Sequence, residues 1–352
     1  MSSPKNNNLN SRERDENDVL RFILTTNKRD IPRETPTKRT HIRKAFGLDH
    51  VQLYRIMSSL IEKGFVEEFE QSNRKKSKYK WYAITDTGKG YCKGIRDVKV
   101  DSPGVGGEQL ISKTRDLAEY YGDILEFEKV ESIYNMALSS LEKDSIDYKA
   151  IEIDKAINCN LWGKHDAAIA ALEEIVSPLS TMEPVGAALM QLARVHVNLG
   201  IVHRTIGLKS KDMAEIDVST GILEVVSKNK YNFSVLKPKL QDEVYAHANL
   251  ELAINECMRY NECASVYNQK AYDFFLRKRQ WGYVAGYHKG NGYLSYLNCD
   301  IEIAEENFEV ATILRESSGS RARADRMSEE IRHGKDFIDE YYPIKRGRRK
   351  RR

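Results

Sequence analysis

The stretch Asp101-Ser102-Pro103-Gly104-Val105-Gly106-Gly107 is the only one dense in proline, glycine and serine in the 352 residues. Such a composition resists both helix and strand, so it reads as a linker. It divides the chain into two parts, each of which must bury a core of its own. The parts carry different patterns. Before the linker, short helical stripes alternate with β-favouring runs. After it, from Lys113 to Tyr342, nearly everything has the spacing of amphipathic helix, with breaks expected at Ser177-Pro178, Lys209–Lys211, Lys237-Pro238 and Ser317–Ser320. The expected organisation is a disordered N-terminus (1–17), a first domain (18–98), a flexible linker (99–112), a helical repeat domain (113–342) and a basic tail (343–352).

Charge follows the same division. The net charge is +4, yet residues 1–100 hold 22 basic against 13 acidic residues, and the last eight hold seven basic and none acidic. The middle, 101–344, is left with 27 basic against 39 acidic. A chain basic at both ends and acidic between them points to a polyanion as partner of the ends. At 41% hydrophobic and 31% charged the composition is that of an ordinary soluble globular protein. The longest apolar run, Ala167–Leu172, is far short of a bilayer span, and Met1–Asn17 has no apolar secretory core, so no membrane association is expected. The five cysteines, Cys92, Cys159, Cys257, Cys263 and Cys299, form no C-x-x-C pair, which speaks against a disulfide framework or a zinc ribbon and for a reducing, cytoplasmic (nucleoid-associated) location.

In the first domain, Val19, Leu20, Phe22, Ile23 and Leu24 form a helical stripe that ends before the prolines of 29–36. A second helix over Lys38–Phe46 stops at Gly47. Asp49 can cap a third over His50–Lys63, which stops at Gly64. Phe65–Phe69 and Tyr79–Thr85 flank the basic Gln71–Lys78, and Thr85-Asp86-Thr87 opens another helix carrying Tyr91 and Ile95. Helices followed by a hairpin with a charged tip make a winged helix-turn-helix, whose third helix lies in the DNA major groove. That helix has two faces. Leu53, Ile56, Met57, Leu60 and Ile61 are expected to pack inward, and His50, Gln52, Arg55 and Ser59 to face the bases. Gln and Arg reach base edges in bidentate fashion. Arg74, Lys75, Lys76, Lys78 and Lys80 of the wing are expected on phosphates. The tail, Lys345, Arg346, Arg348, Arg349, Lys350, Arg351 and Arg352, is expected to add affinity without sequence preference.

Three segments, His41–Leu48, Leu53–Val66 and Tyr82–Gly90, together resemble the ArnR-like winged-helix family of archaeal regulators, through a helix ending in L-x-x-K-G-hydrophobic and a strand ending in Y-x-I-T-x-x-G. The resemblance covers about 18–97 and implies transcription regulation. The chain departs from it in a longer, proline-containing connection over Asn27–Thr37.

The second part repeats. Small residues seven apart recur at Ala168/Ile175, Ala214/Gly221, Ala264/Ala271 and Ala304/Ala311, with the leading positions 46, 50 and 40 residues apart. This is the mark of stacked helical hairpins, in which small residues let two helices approach. The unit Gly292, Ala304, Phe308, Ala311 resembles a tetratricopeptide repeat, a family whose arrays bind peptides or proteins in a concave groove. The fold class expected is thus mostly α: a winged helix-turn-helix and a helical-hairpin solenoid.

Nothing points to catalysis or a cofactor. No Ser-His-Asp or H-E-x-x-H pattern occurs, and Gly104-Val105-Gly106-Gly107 lacks the Lys-Ser/Thr of a phosphate loop. His196 and His203 share a helix face without further metal ligands at the usual spacing, and Cys257 and Cys263 read as free thiols. The tyrosines 283, 287, 293 and 296 read as an interhelical seam and as the place to look for a groove. The expected partners are double-stranded DNA, a protein or peptide held by the repeats, and a second copy of the chain. The alternative is an interaction scaffold whose winged helix binds protein or RNA.

Overall fold

The computed structural model describes residues 11–28, 37–72, 78–97, 107–123, 126–183, 185–229, 233–318 and 321–343. The chain forms two units, Met1–Ser102 and Pro103–Arg352. It is mostly α with a winged helix-turn-helix first and a helical domain after it.

The first unit runs α1 (Ser11–Lys28), β1 (Thr37–Lys38), α2 (Arg39–Phe46), α3 (His50–Glu62), β2 (Val66–Ser72), β3 (Lys78–Ile84) and α4 (Asp86–Asp97). The first helix begins at Ser11, ahead of the expected boundary, and buries Glu16 and Asn17 as well as the apolar stripe. The short β1 was not foreseen. It pairs Thr37 with Tyr82 and Lys38 with Trp81, making an antiparallel sheet of order β1-β3-β2. Leu20, Phe22 and Ile23 of α1, Ile42 of α2, Leu53 and Leu60 of α3, and Val66 and Ile84 of the hairpin meet in one core. Phe22 and Phe46 stack edge to face at 5.5 Å. The hairpin's return into α4 is tightly built. The Thr85 hydroxyl donates to the Gly64 carbonyl at 2.6 Å and accepts the Gly88 N–H at 3.0 Å. A Cβ on Gly88 would lie 2.3 Å from the Phe65 carbonyl oxygen. The glycines and threonine of K-G-hydrophobic and I-T-x-x-G are therefore two halves of one contact.

The second unit consists of α5 (Gly107–Asp123), α6 (Phe127–Ser139), α7 (Ile146–Leu161), α8 (His165–Thr181), α9 (Val185–Ser210), α10 (Met213–Ser227), a single 3-10 turn (Phe233–Val235), α11 (Pro238–Met258), α12 (Ala264–Lys278), α13 (Trp281–Leu297), α14 (Ile301–Ser317) and α15 (Arg321–Tyr341). Helix α5 starts inside the expected linker, and its Ile111 and Ala118 pack against Val130 and Tyr134. Pro178 does not break α8. It sits beside the exposed Glu173 and Glu174, where a backbone carbonyl left without its helical partner can meet water.

Neighbouring helices pack in sequence order, and α7, α9, α11 and α13 also pack on one another as an inner row. The repeat is written in the backbone. Each inner helix ends in the same motif, with amide-to-carbonyl bonds Lys164→Cys159, Asp212→Gly207, Asn261→Glu256 and Asp300→Ser295, all 2.8–2.9 Å. Each motif turns on a left-handed residue: Gly163, Lys211, Tyr260 and Cys299. Only one of the four is glycine.

Ala168, Ala264, Ala271, Ala304 and Ala311 are fully buried, and Phe308 nearly so. A Cβ on Gly292 would lie 2.4 Å from the Phe308 ring. Ala214 is different: it is exposed, and Gly221 faces open space, so neither packs a helix pair. Ile216 and Leu223 stand in α10 where Ala168/Ile175 and Ala304/Ala311 stand in α8 and α14. The small partners have moved to α9, where Gly200 and Gly207 accept Leu223 and Ile216 at distances that leave no room for a Cβ. Small and large have changed helices while the close approach is kept.

Helix α9 is long and apolar enough to cross a membrane by length and composition. Here it is the central helix of the array, touching α7, α8, α10, α11 and α15 and carrying the fully buried Arg204. The last helix, α15, does not extend the array but lies against the inner row, touching α7, α9, α11 and α13. Tyr293 donates to the Glu330 carbonyl at 2.9 Å, Tyr296 to Asp339, and Tyr342 to the Met258 carbonyl. Arg204 pairs with Glu251 (2.6 Å) and Glu330 (2.9 Å), and Lys289 with Glu330 (2.8 Å). Burial would raise the Glu330 carboxyl, but the Lys289 and Arg204 charges overcome it and hold it well below the usual carboxylate range.

Two tests follow from this packing. Gly292→Val should cost about 1–3 kcal/mol by overpacking against Phe308, whereas Gly221→Ala, in open space within a helix, should stabilise by about 0.5–1 kcal/mol in urea unfolding. Glu330→Gln should cost about 3–5 kcal/mol at neutral pH by leaving the buried Lys289 ammonium unpaired and taking from Arg204 one of its two carboxylate partners. Because the Glu330 carboxyl is depressed in the folded state, its contribution is fully present above the ordinary carboxylate range, declines as pH falls below that range, and is lost as pH falls through the depressed folded value. The gap between variant and parent should therefore narrow below about pH 4.

Candidate nucleic-acid interface

Helix α3 follows α2 after a tight turn. Gly47, at φ 60°, closes α2, and its N–H reaches back to the Arg43 and Lys44 carbonyls. Asp49 then caps α3 reciprocally: its carboxylate accepts the Gln52 N–H at 2.7 Å, and the Gln52 side-chain oxygen accepts the Asp49 N–H at 3.0 Å. Leu53, Ile56, Met57 and Leu60 turn inward as expected, and Val51, Gln52, Tyr54, Arg55 and Glu62 turn out.

The four residues expected to face bases are therefore not equivalent. Arg55 is exposed and makes no hydrogen bond or ion pair among the described residues. His50 is exposed but accepts at Nε2 from the Arg43 guanidinium at 2.6 Å. Gln52 is exposed, yet its oxygen is committed to the cap, which leaves only its amide N–H groups to face outward. Ser59 is 6% exposed and does not belong to the outer face. Conversely Ile61, expected inside, is 38% exposed. Both departures occur at the end of α3 covered by α1, where Glu16 reaches Lys63 at 2.5 Å. A face assigned from one period along the whole helix ignores that its two ends meet different neighbours. Sequence reasoning passed over Tyr54 and Val51, 64% and 57% exposed, because apolar side chains were assigned to the core. Their positions flanking Arg55 and Gln52 were the available signal.

In the wing, β2 and β3 pair from Val66–Ile84 to Ser72–Lys78. Lys80 is held at 2.7 Å by Glu68, and that carboxylate also bonds the Tyr82 hydroxyl. Lys80 is thus a neutralised strand residue rather than a spare cation. Lys78 opens β3. Arg74, Lys75 and Lys76, and the tail Lys345, Arg346, Arg348, Arg349, Lys350, Arg351 and Arg352, lie outside the described residues. Among the described residues no cluster of His, Cys, Asp or Glu could hold a metal ion. His203 bonds Glu215 at 2.7 Å, and the cysteines are free thiols.

Residues 38–93 match the profile of the Transcriptional regulator PadR-like family. The match runs from α2 through α3 and the wing into α4, the segment whose geometry is described above. No curated protein matches the chain. Residues 38–93 thus form a winged helix-turn-helix similar to the domain of PadR-like DNA-binding transcription regulators.

The cap yields a test separate from any contact with DNA. Gln52→Ala removes one arm of the capping box and should lower the stability of the unit by about 1 kcal/mol in thermal or urea unfolding without DNA present. Gln52→Glu, which can still accept the Asp49 N–H, should restore most of it.

Proposed function

We propose that the chain is a sequence-specific, double-stranded-DNA-binding transcription regulator of the cytoplasm, in which α3 enters the major groove and Arg55 reads a base edge. The observation that carries this reading is the outer face of α3: an exposed, unengaged arginine between exposed Val51, Gln52, Tyr54 and Glu62, in a segment that matches PadR-like regulators. Gln52 contributes through its amide N–H, His50 after release from Arg43, and Tyr54 through its ring and hydroxyl. Arg74, Lys75, Lys76 and Lys78 of the wing supply phosphate contacts, and the tail adds affinity common to all sequences. Regulators of this family commonly dimerise, and a second copy of the chain is the partner proposed for half-site recognition. The ArnR-like kinship of the domain and the tetratricopeptide-like kinship of the array belong to the same proposal. In such an array the inner row would hold a peptide, but here α15 occupies it. A protein partner is accordingly assigned to the outer helices.

Selection of bound sequences from random duplex DNA tests the whole reading. The parent should enrich one motif. Arg55→Ala should lose about 1–3 kcal/mol of discrimination at one base position. Neutralising the four wing cations should weaken all duplexes alike and flatten the salt dependence by about 0.9 in log–log slope per lost contact. No enriched motif, or an Arg55→Ala variant with the parent's preferences, would overturn the proposal.

A further inference from the structure

Between α15 and the inner row lies a cavity of about 420 Å³. Its walls come from α7, α9, α11 and α13, with Arg315 of α14 entering from the side. The lining is amphipathic. Met190, Val197, Ile201, Leu250 and Met327 supply the apolar part, and Tyr283 and His247 an aromatic one. The His247 ring sits 4.3 Å from Tyr283 and 4.9 Å from Phe275, edge to face with both. Burial lowers its pKa to about 4, so it is uncharged at neutral pH.

The charges do not balance. Six lining cations, Arg194, Arg204, Lys289, Arg315, Arg323 and Arg326, face three lining carboxylates, Glu243, Glu251 and Glu330. Arg204 and Lys289 are satisfied by Glu251 and Glu330, and Arg194 by Asp154 outside the lining. The other three arginines make no direct ion pair among the described residues; Glu330 acts on Arg326, and Glu251 and Glu119 on Arg315, only at longer range. Arg326 donates only to neutral acceptors: the Asn160 carbonyl (2.6 Å), the Asn160 side-chain oxygen (2.9 Å) and the Thr205 hydroxyl (3.0 Å). Arg315 makes one bond, to the Gly282 carbonyl at 2.8 Å, and Arg323 makes none. Burial, then the nearby Arg323 charge, pull the Arg315 pKa down to about 10. The placement of Arg315 is built in: a Cβ on Gly282 would lie 2.6 Å from its Nη1. Gln191, also in the lining, buries its Oε1 without a partner among the described residues. Glu243 is the single lining carboxylate without a cation, and it leaves an excess of two charges uncompensated.

Arg323 is exposed, and its charge acts on the guanidinium of Arg315; an oxyanion that accepts from both removes that repulsion and gains bidentate hydrogen bonds. Cavities of a few hundred Å³, mostly apolar with a few convergent polar groups, suit small organic molecules. We propose that this cavity binds a small organic anion, its carboxylate, phosphate or sulfonate head against Arg315, Arg323 and Arg326 and its apolar body against α9, α11 and Tyr283. The inference does not rest on DNA binding, and its test contains no DNA.

The probes are 8-anilinonaphthalene-1-sulfonate and its uncharged counterpart N-phenyl-1-naphthylamine, titrated into the full chain and read by fluorescence. The sulfonate should bind one per chain and about tenfold more tightly than the uncharged ring system, as a charge-assisted site requires. Arg315→Met and Arg323→Gln should each weaken the sulfonate by about tenfold and leave the uncharged probe unchanged. Arg315 also ties α14 to α13, so an Arg315 variant that fails to fold is set aside and Arg323, which makes no hydrogen bond, decides. Neutralising Arg74, Lys75 and Lys76 should not alter sulfonate binding. Equal affinity for the two probes, sulfonate affinity unchanged in Arg323→Gln, or no binding of the sulfonate would overturn the proposal.

Discussion

The Arg204 guanidinium, fully buried in the central helix of the array, is the interaction on which the second unit depends. A charge at that depth is tolerated only if its hydrogen bonds are made by partners that cannot leave. Those partners come from α11 and α15: Glu251 and Glu330 bond the guanidinium, and Lys289 of α13 secures Glu330 in turn. The consequence is topological. A helix that follows four hairpins could have stacked as another outer layer. The need to neutralise Arg204 and Lys289 draws it back along the inner row, where Gly334 allows it to touch Tyr293.

How much of this was legible varies with the range of the contact. Most helices followed from local chemistry, although α1 and α5 begin earlier than expected and Pro178 does not break α8. The hairpin period followed as well, since Ala168/Ile175 in α8 and the alanines seven apart in α12 and α14 announce close helix pairs. The second pair was misread at Ala214 and Gly221 because small residues were sought on one helix only. Close approach requires one small partner, and Gly200 and Gly207 on α9 serve as well as alanines on α10. The left-handed turns at Lys211, Tyr260 and Cys299 carry no glycine to mark them and are recognised only by their bonds. The path of α15 was not legible at all. Its decisive partners, Arg204 and Glu330, are 126 residues apart and look in isolation like ordinary surface charges.

In the winged unit the legible part was the order of elements and the inner face of α3. The misassigned Ser59 and Ile61 share a cause: a period describes a helix in a uniform environment, and α1 makes the environment of α3 uneven. Gln52 shows a second limit. Its residue type is right for adenine, but the same oxygen that would accept from a base accepts the Asp49 N–H instead. Residue type proposes a role, and the neighbouring backbone decides which atoms remain available. By that standard Arg55 and Tyr54, with nothing else to bond among the described residues, outrank the residues whose chemistry looked equally suitable.

The same distinction separates the sign of a segment from the sign of a site. Residues 101–344 carry 39 acidic against 27 basic residues, a balance that would seem to repel anions. Screening shortens the reach of surface charge to about 8 Å at physiological salt, so carboxylates on the far side of the array scarcely weigh on the cavity between α15 and the inner row. What counts there is the set of groups facing the space, and those are cationic in excess because two of the three lining carboxylates are already bound to Arg204 and Lys289. The path of α15 also sets the scale. Left open, the inner row would offer an extended groove able to take a peptide strand. With α15 laid along it, what remains is a partly open cavity of about 420 Å³, of the size that a compact molecule fills. The buried network that holds α15 in place thereby determines both the charge and the dimensions of what the array can accept.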